Sequence, residues 1–284
     1  MVICSWKMRT LLKSSILLFA ASLSIGAWGA VSPDANGVAE EASPSAWMLA
    51  YERGPETVLT LPASLPRMAP ELALQTFQQR AARQLNEPVS YSANTVVEAE
   101  LPDTAQRGRF QLRRRFIAPK TLLFTPVRFV GDNFVKSNVI ARLLQAEVDH
   151  ASKGESTRTA INETNYKFSY KGTSEIGDRS VHVFHVKPRA KRPGLFKGSI
   201  YLDASTGSLR RAEGTLVKTQ SFFVKRIEFV QDYADIEGYT LPVHASSVAK
   251  TRLMGRALVE IATDDYDFSS TTASAATPAA SGSQ

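Results

Sequence analysis

The chain has 284 residues, 43% of them hydrophobic, and a formal net charge of +7. With the 16 glycines added, the apolar share is the usual one for a globular protein, which excludes general disorder, and the length allows one large domain or two small ones. The single cysteine, Cys4, excludes a disulfide framework and a cysteine-based metal site.

The first residues have the form of an export signal. Lys7, Arg9 and Lys13 make a positive start, an apolar run from Ile16 to Trp28 follows, and the small residues Ala27 and Gly29 precede a cleavage point after Gly29. The run falls short of the ~20 residues of a membrane span, although a retained anchor is the other reading. Loss of residues 1–29 removes three basic and no acidic residues and lowers the charge from +7 to +4. Part of the basicity is then a targeting device, and nucleic acid is not an expected partner. Cys4 lies before the apolar run, so the exported chain has no thiol and no lipid-bearing cysteine.

Residues 30–69 are rich in Ala, Ser and Pro and read as a linker with one short extended run, Thr57–Leu61. A helix is expected from Pro70, which suits a first helical position, to about Asn86; Leu74, Phe77, Ala81 and Leu85 mark its apolar face. The period then changes to two. Val89–Leu101, Arg109–Phe116 and Thr121–Val130 read as strands, the last broken by Pro126. In the second, Phe110, Leu112 and Phe116 share one face with Arg114, and Gln111, Arg113 and Arg115 share the other. A second helix starts at Asp132 as N-cap, carries Val135, Val139, Leu143 and Ala146 on one face, and stops near Gly154.

After it the chain is strand upon strand. Tyr166, Phe168 and Tyr170 alternate with polar residues, Gly177-Asp178 turns the chain, and Val181–Val186 returns. Gly198–Asp203, Leu209–Leu216, Val224–Tyr233, Tyr239–Ala245 and Ala257–Tyr266 follow, with turns at Gly207, Gly238 and Gly255. Short connections between consecutive strands require antiparallel pairing. A sheet with one apolar face must cover it, and two amphipathic helices are available. The expected fold is mainly β within the α+β class: a curved antiparallel sheet forming an open, incomplete β-barrel, with amphipathic helices on its concave face, over residues 70–268. Residues 269–284 read as a disordered polar tail.

The search for chemistry finds little. His182 and His185 stand three apart on a strand and point to opposite faces, so no metal site is expected, and neither is a cofactor. No nucleophile elbow and no phosphate loop occurs. The acidic pair Asp264-Asp265 faces two sides of a strand. "GSIYLDASTGSLRRAEG", Gly198–Gly214, looks reactive but reads as a hairpin, with Asp203 accepting backbone N–H bonds and Gly207 supplying a positive φ. One such turn bond is worth about 1 kcal/mol. Arg114 is either an inward charge that needs a partner on a helix cover or a solvated arginine on an edge strand. In the basic loop Lys187–Gly198, the residues Lys191, Arg192, Leu195, Phe196 and Lys197 form a candidate contact with an anionic membrane surface or a protein partner. The other reading of Leu195 and Phe196 is that they close the sheet.

Three stretches carry a resemblance: "FKGSIYLDASTGSLRRAEG", "VKRIEFVQDYADIEGYTLPVHA" and "RLMGRALVEIATDDYDF". Leu202-Asp203 with Gly207, then Gly238-Tyr239-Thr240-Leu241-Pro242, resemble the outer-membrane lipoprotein-sorting proteins, the LolA-like group that includes LolB- and RseB-like members. The resemblance covers roughly residues 165–268. It implies a half-closed antiparallel barrel with helices as a lid over an apolar cavity, a periplasmic location, and non-catalytic binding of acyl chains, lipid or lipoprotein. It also implies an inward arginine that holds the lid, a role Arg114 fits by its face. The cavity candidates are Phe110, Leu112, Phe116, Tyr166, Phe168, Tyr170, Ile227 and Phe229, which equally suit an ordinary core. The leading expectation is a monomeric carrier or binding protein for a hydrophobic ligand. Envelope-stress sensing or assembly through a protein partner is the alternative, and a hydrolase with dispersed catalytic residues is the third.

Overall fold

The computed structural model describes residues 67–219, 224–252 and 255–268. The segment expected to be an export signal, Thr57–Leu61 with nearly all of the expected linker, and the expected polar tail lie outside the described residues. Helix α1 (Pro70–Asn86) leads into a meander of β1 (Tyr91–Leu101), β2 (Gln106–Ile117) and β3 (Thr121–Gly131). A helical passage follows, made of α2 (Asn133–Val135), a π turn at Lys136–Ile140, α3 (Ala141–Ser152) and α4 (Ser156–Thr159). Seven more strands complete the fold: β4 (Tyr166–Ile176), β5 (Arg179–Pro188), β6 (Phe196–Asp203), β7 (Leu209–Leu216), β8 (Val224–Ile236), β9 (Tyr239–Thr251) and β10 (Arg256–Asp267).

All ten strands form one antiparallel sheet in the order β3-β2-β1-β10-β9-β8-β7-β6-β5-β4. The sheet is open: β3 and β4 are its two edges and do not pair with each other. The pairing that local turns cannot supply is β1 with β10, which joins the N-terminal meander to the C-terminal one. Because the chain leaves at one edge and re-enters at the other, the α2–α4 passage must cross a whole face of the sheet. Its apolar stripe, Val135, Val139, Ile140 and Leu143, is buried there with Phe77 and Ala81 of α1 in one core cluster.

Local chemistry explains where the elements depart from the sequence expectations. In α1 the buried line is Ala73, Phe77, Ala81 and Gln84, so Leu74 and Leu85 sit at its margin and Leu72 is exposed. The second helix is not regular: the N–H of Ala141 bonds back five residues to the carbonyl of Lys136. That wide turn slips one residue into the repeat and brings both Val139 and Ile140 inward. Asp132 does not cap it with its side chain; its carboxylate accepts the Arg107 N–H at 2.9 Å instead and ties the passage to the β1–β2 turn. Pro126 does not end β3, since an edge strand can spare one N–H; the register shifts there, with Gln111 opposite Arg128 and Leu112 opposite Pro126. Among the described residues no helix is long and apolar enough to cross a membrane.

Candidate functional site

The inward arginine lies on the central line of β2. Phe110, Leu112, Arg114 and Phe116 are all buried, so the alternation of the strand carries a cation into the covered face. Arg114 Nη1 donates to Glu147 Oε2 of α3 at 2.7 Å, and both residues are almost inaccessible. Glu147 continues the stripe of Leu143 one turn on, so helix spacing aims it at the sheet as firmly as a leucine. Arg114 Nε and Nη2 meet no hydrogen-bond acceptor among the described residues, and the guanidinium lies 5.6 Å from the centre of the Phe124 ring. Burial works against the Arg114 charge, but Tyr91, Glu147 and Tyr266 outweigh it and hold the group protonated. For Glu147 burial dominates: its carboxyl is pushed above the ordinary carboxylate range, and the pull of Arg114 recovers only part of the shift. Beside the pair is a void of about 20 Å³ bordered by Gln231, Ile261 and Thr263, room for one water.

The cavity candidates divide three ways. Phe110, Leu112, Tyr166, Ile227 and Phe229 share one buried cluster, with Phe168 packed against it. Phe116 belongs to a second cluster with Tyr91, Ala93, Leu122 and Ala151. Tyr170 is 42% exposed, because β4 runs beyond the helices, and its ring rests against His182 and Phe184 at the rim. Among the described residues a cavity of about 200 Å³ lies between Leu85, Phe116, Pro119, Lys120, Ala151 and Ser156.

The basic loop is built differently from the expected contact surface. Leu195 and Phe196 are 0% and 5% exposed, and Phe196 meets Phe229 edge to face at 5.1 Å. Burying a side chain of this size is worth about 2 kcal/mol, which a small loop readily captures by folding inward. Arg192 donates to Asn165 Oδ1 at 2.6 Å, and the neighbouring Arg189 to the carbonyl of Glu163 at 2.7 Å, so these cations brace the loop before β4. Lys191 and Lys197 remain exposed.

The remaining polar groups resolve as architecture. Asp203 Oδ1 accepts the N–H groups of Ser205 and Thr206 at 3.0 and 3.1 Å and the Ser205 hydroxyl at 2.6 Å; Oδ2 faces Arg179 and Arg210. Burial alone would raise the Asp203 carboxyl, but these donors and the Arg210 charge hold it well below the usual range. Gly207, at φ 69°, lies so close to α1 that a Cβ would meet Ala73 O and Thr76 Cβ at 3.0 Å. His182 is buried and faces the carbonyl of Met68 at 3.0 Å, whereas His185 is on the opposite face. Asp265 sits in a bulge, at φ 49°, and accepts from Asn94. His150 lies 3.6 Å from Glu155 and 3.5 Å from the Thr159 hydroxyl, a triad-like grouping, but that hydroxyl is buried beside the carbonyls of Glu155 and Ser156. Among the described residues no group of His, Cys, Asp and Glu could hold a metal ion.

Residues 160–265 match a family of unknown function, DUF5686. No curated protein matches the chain. Solved structures that match it include a LolA-superfamily protein from Nitrosomonas europaea, at 11% identity and a TM-score of 0.35, covering 70% of this chain and 92% of that one. A putative outer membrane lipoprotein-sorting protein domain from Vibrio parahaemolyticus matches at 12% identity and a TM-score of 0.39, covering 70% and 93%. A DUF1329-family protein from Desulfovibrio piger matches at 9% and 0.39, covering 70% and 91%.

Glu147 is the residue of this site that the helical pattern obscured. Counting Ala146 as the inward position placed the carboxylate on the wet side. The available signal was its spacing of four from Leu143, opposite a strand that sends an arginine inward.

Proposed function

We propose that this chain is a periplasmic, non-catalytic binding protein for a hydrophobic ligand, an acyl chain or a lipid-bearing protein, and that α3 is the movable cover of its binding face. The observation that carries this reading is the buried Arg114–Glu147 pair joining the cover to the sheet. A buried ion pair is a poor device for stability alone, since apolar residues of the same volume do as well or better. It is a good device for holding a cover in one register until something competes. Small-molecule sites usually measure about 300–1,000 Å³, so the 200 Å³ cavity is too small for a long acyl chain. On this reading the ligand occupies the face that α3 now covers. Native mass spectrometry of protein purified from cells, followed by solvent extraction, should show copurified lipid, and stripped protein should take up a fluorescent fatty acid. Empty protein that also refuses the fatty acid overturns the reading.

A second reading, a sensing module that binds a protein, is favoured by one edge of the sheet. Strand β3 exposes Leu123, Val127 and Val130, Val127 by 69%, on a sheet edge that has no second partner strand among the described residues and could accept an added one. A photocrosslinker at Val127 separates the two: a specific protein adduct in cells supports sensing, and lipid adducts support carriage.

A further inference from the structure

Among the described residues, the two ends of the basic segment Lys187–Gly198 stand on strands β5 and β6 and form, with β4, a cationic surface on the sheet face opposite the helices. Lys167 of β4 pairs directly with Lys187 of β5. Lys197 of β6 follows the pair Val186–Gly198 and so extends the same row to a third strand, where it stands opposite Thr215 of β7. One step along, His185 lies between Ser169 and Ser199. All four of Lys167, Lys171, Lys187 and Lys197 are exposed, and none forms an ion pair among the described residues. Burial, Lys197 and Lys171 together lower the His185 pKa, which places both lysines within electrostatic reach of the ring.

This arrangement costs stability, because like charges directly opposite on a sheet repel. The acids nearby do not relieve it. Glu213 on β7 is taken by the Tyr201 hydroxyl at 2.6 Å, and Glu228 on β8 by Arg226 at 2.7 Å. The arginines nearest on this face, Arg211 and Arg226, are engaged by Asp232 at 2.6 Å and Glu228 at 2.7 Å, so they offer no open fork to select one shaped anion. Flexible, fully hydrated ammonium groups spread over three strands match instead a planar, diffuse negative charge. We propose that the outer face of β4, β5 and β6 docks on an anionic lipid surface through Lys167, Lys171, Lys187 and Lys197. The proposal stands apart from the ligand reading, which concerns the covered face.

The test is lysine footprinting of the full chain with an acetylating reagent, in the presence of vesicles of phosphatidylcholine alone or with phosphatidylglycerol added. Anionic vesicles should slow acetylation of these four lysines at least threefold, while Lys120 and Lys153, exposed on the side of the helices, label as before. In flotation, each Lys→Gln change should weaken binding to the anionic vesicles about fivefold, and the combined K167Q/K171Q/K187Q/K197Q variant should lose the salt-sensitive part of it. Circular dichroism establishes that this variant is folded; if it is not, footprinting of the native chain decides alone. Equal labelling with both vesicle types overturns the proposal. So does protection by inorganic polyphosphate or an acidic peptide with none from vesicles, which would assign the face to a soluble polyanion.

Discussion

Two regions of this molecule bury a carboxylate against arginine, and they do opposite things with it. At the β6–β7 turn, Asp203 is met by backbone N–H groups and a hydroxyl two and three residues on, by Arg210 seven residues on and by Arg179 of the adjacent β5, and its acidity is strengthened. At the α3–β2 contact, Glu147 has one donor from a distant strand, its acidity is weakened, and two nitrogens of the arginine meet no acceptor among the described residues. The first is a saturated corner that holds two strands and the start of α1 in place. The second is a joint between two layers, held by one strong bond in surroundings that do not solvate it. A charge made safe by local donors is structural; a charge made safe only by a second layer depends on that layer staying put.

The comparison can be broken most forcefully at Glu147. Glu147→Ala leaves Arg114 buried without a counter-charge and should cost about 3–5 kcal/mol in urea unfolding. Replacing both partners by leucine and methionine should return stability to the native level or above it while abolishing the uptake of fatty acid, because the cover then closes on apolar contacts alone. If the double variant stays as unstable as the single one, the pair is not a self-contained joint. Asp203→Ala should cost about 2 kcal/mol, more than a lone turn bond because several N–H and O–H donors and the largely buried Arg210 lose their partner together, and should leave ligand uptake intact. Loss of uptake at full stability would make the turn part of a site.

The two carboxylates also carry opposite pH signatures. Asp203 is held below its unfolded value, so its contribution is present above about pH 4 and is lost as pH falls through the folded value. Glu147 is raised, so its contribution is present below about pH 4 and is lost as pH rises through the folded value. Denaturant midpoints across the acid and neutral range should therefore show the acid-side loss flattened in Asp203→Asn and the loss on raising pH flattened in Glu147→Gln. The smallest effect is expected at Gly207→Ala, about 1–2 kcal/mol for a side chain at positive φ, with faster hydrogen exchange confined to the first turns of α1, where the added Cβ would press.

Much of this contrast could be seen in the residues. The hairpin at Asp203-Ala-Ser-Thr-Gly207 follows from local rules, since an Asp side chain reaches N–H groups two and three residues on and glycine accepts the positive φ. The inward aim of Arg114 follows from strand alternation. Its partner does not, because Glu147 is 33 residues away and its facing depends on a π turn that re-phases the helix. Leu195 and Phe196 show the same limit from the other side. A prolyl, basic loop with two apolar residues reads equally well as a membrane probe or as a plug, and only the open space beneath β4 and β6 decides for the plug. The lysine row was half visible for a related reason: Lys187 and Lys197 bound one basic segment, but Lys167 lies in another stretch, and only the pairing register sets the three side by side.

By itself, then, the order of apolar and polar residues determined the strands, the two main helices, the antiparallel turns and the face that strand residues such as Arg114 take, because those depend on neighbours within a few positions. Tertiary structure alone decided the join of β1 to β10, the crossing of the open face by α2–α4, the pairing of Arg114 with Glu147 and the gathering of four lysines on the far side. Each brings together residues whose separation along the chain carries no local signal, and each is settled by which surfaces can be buried at once.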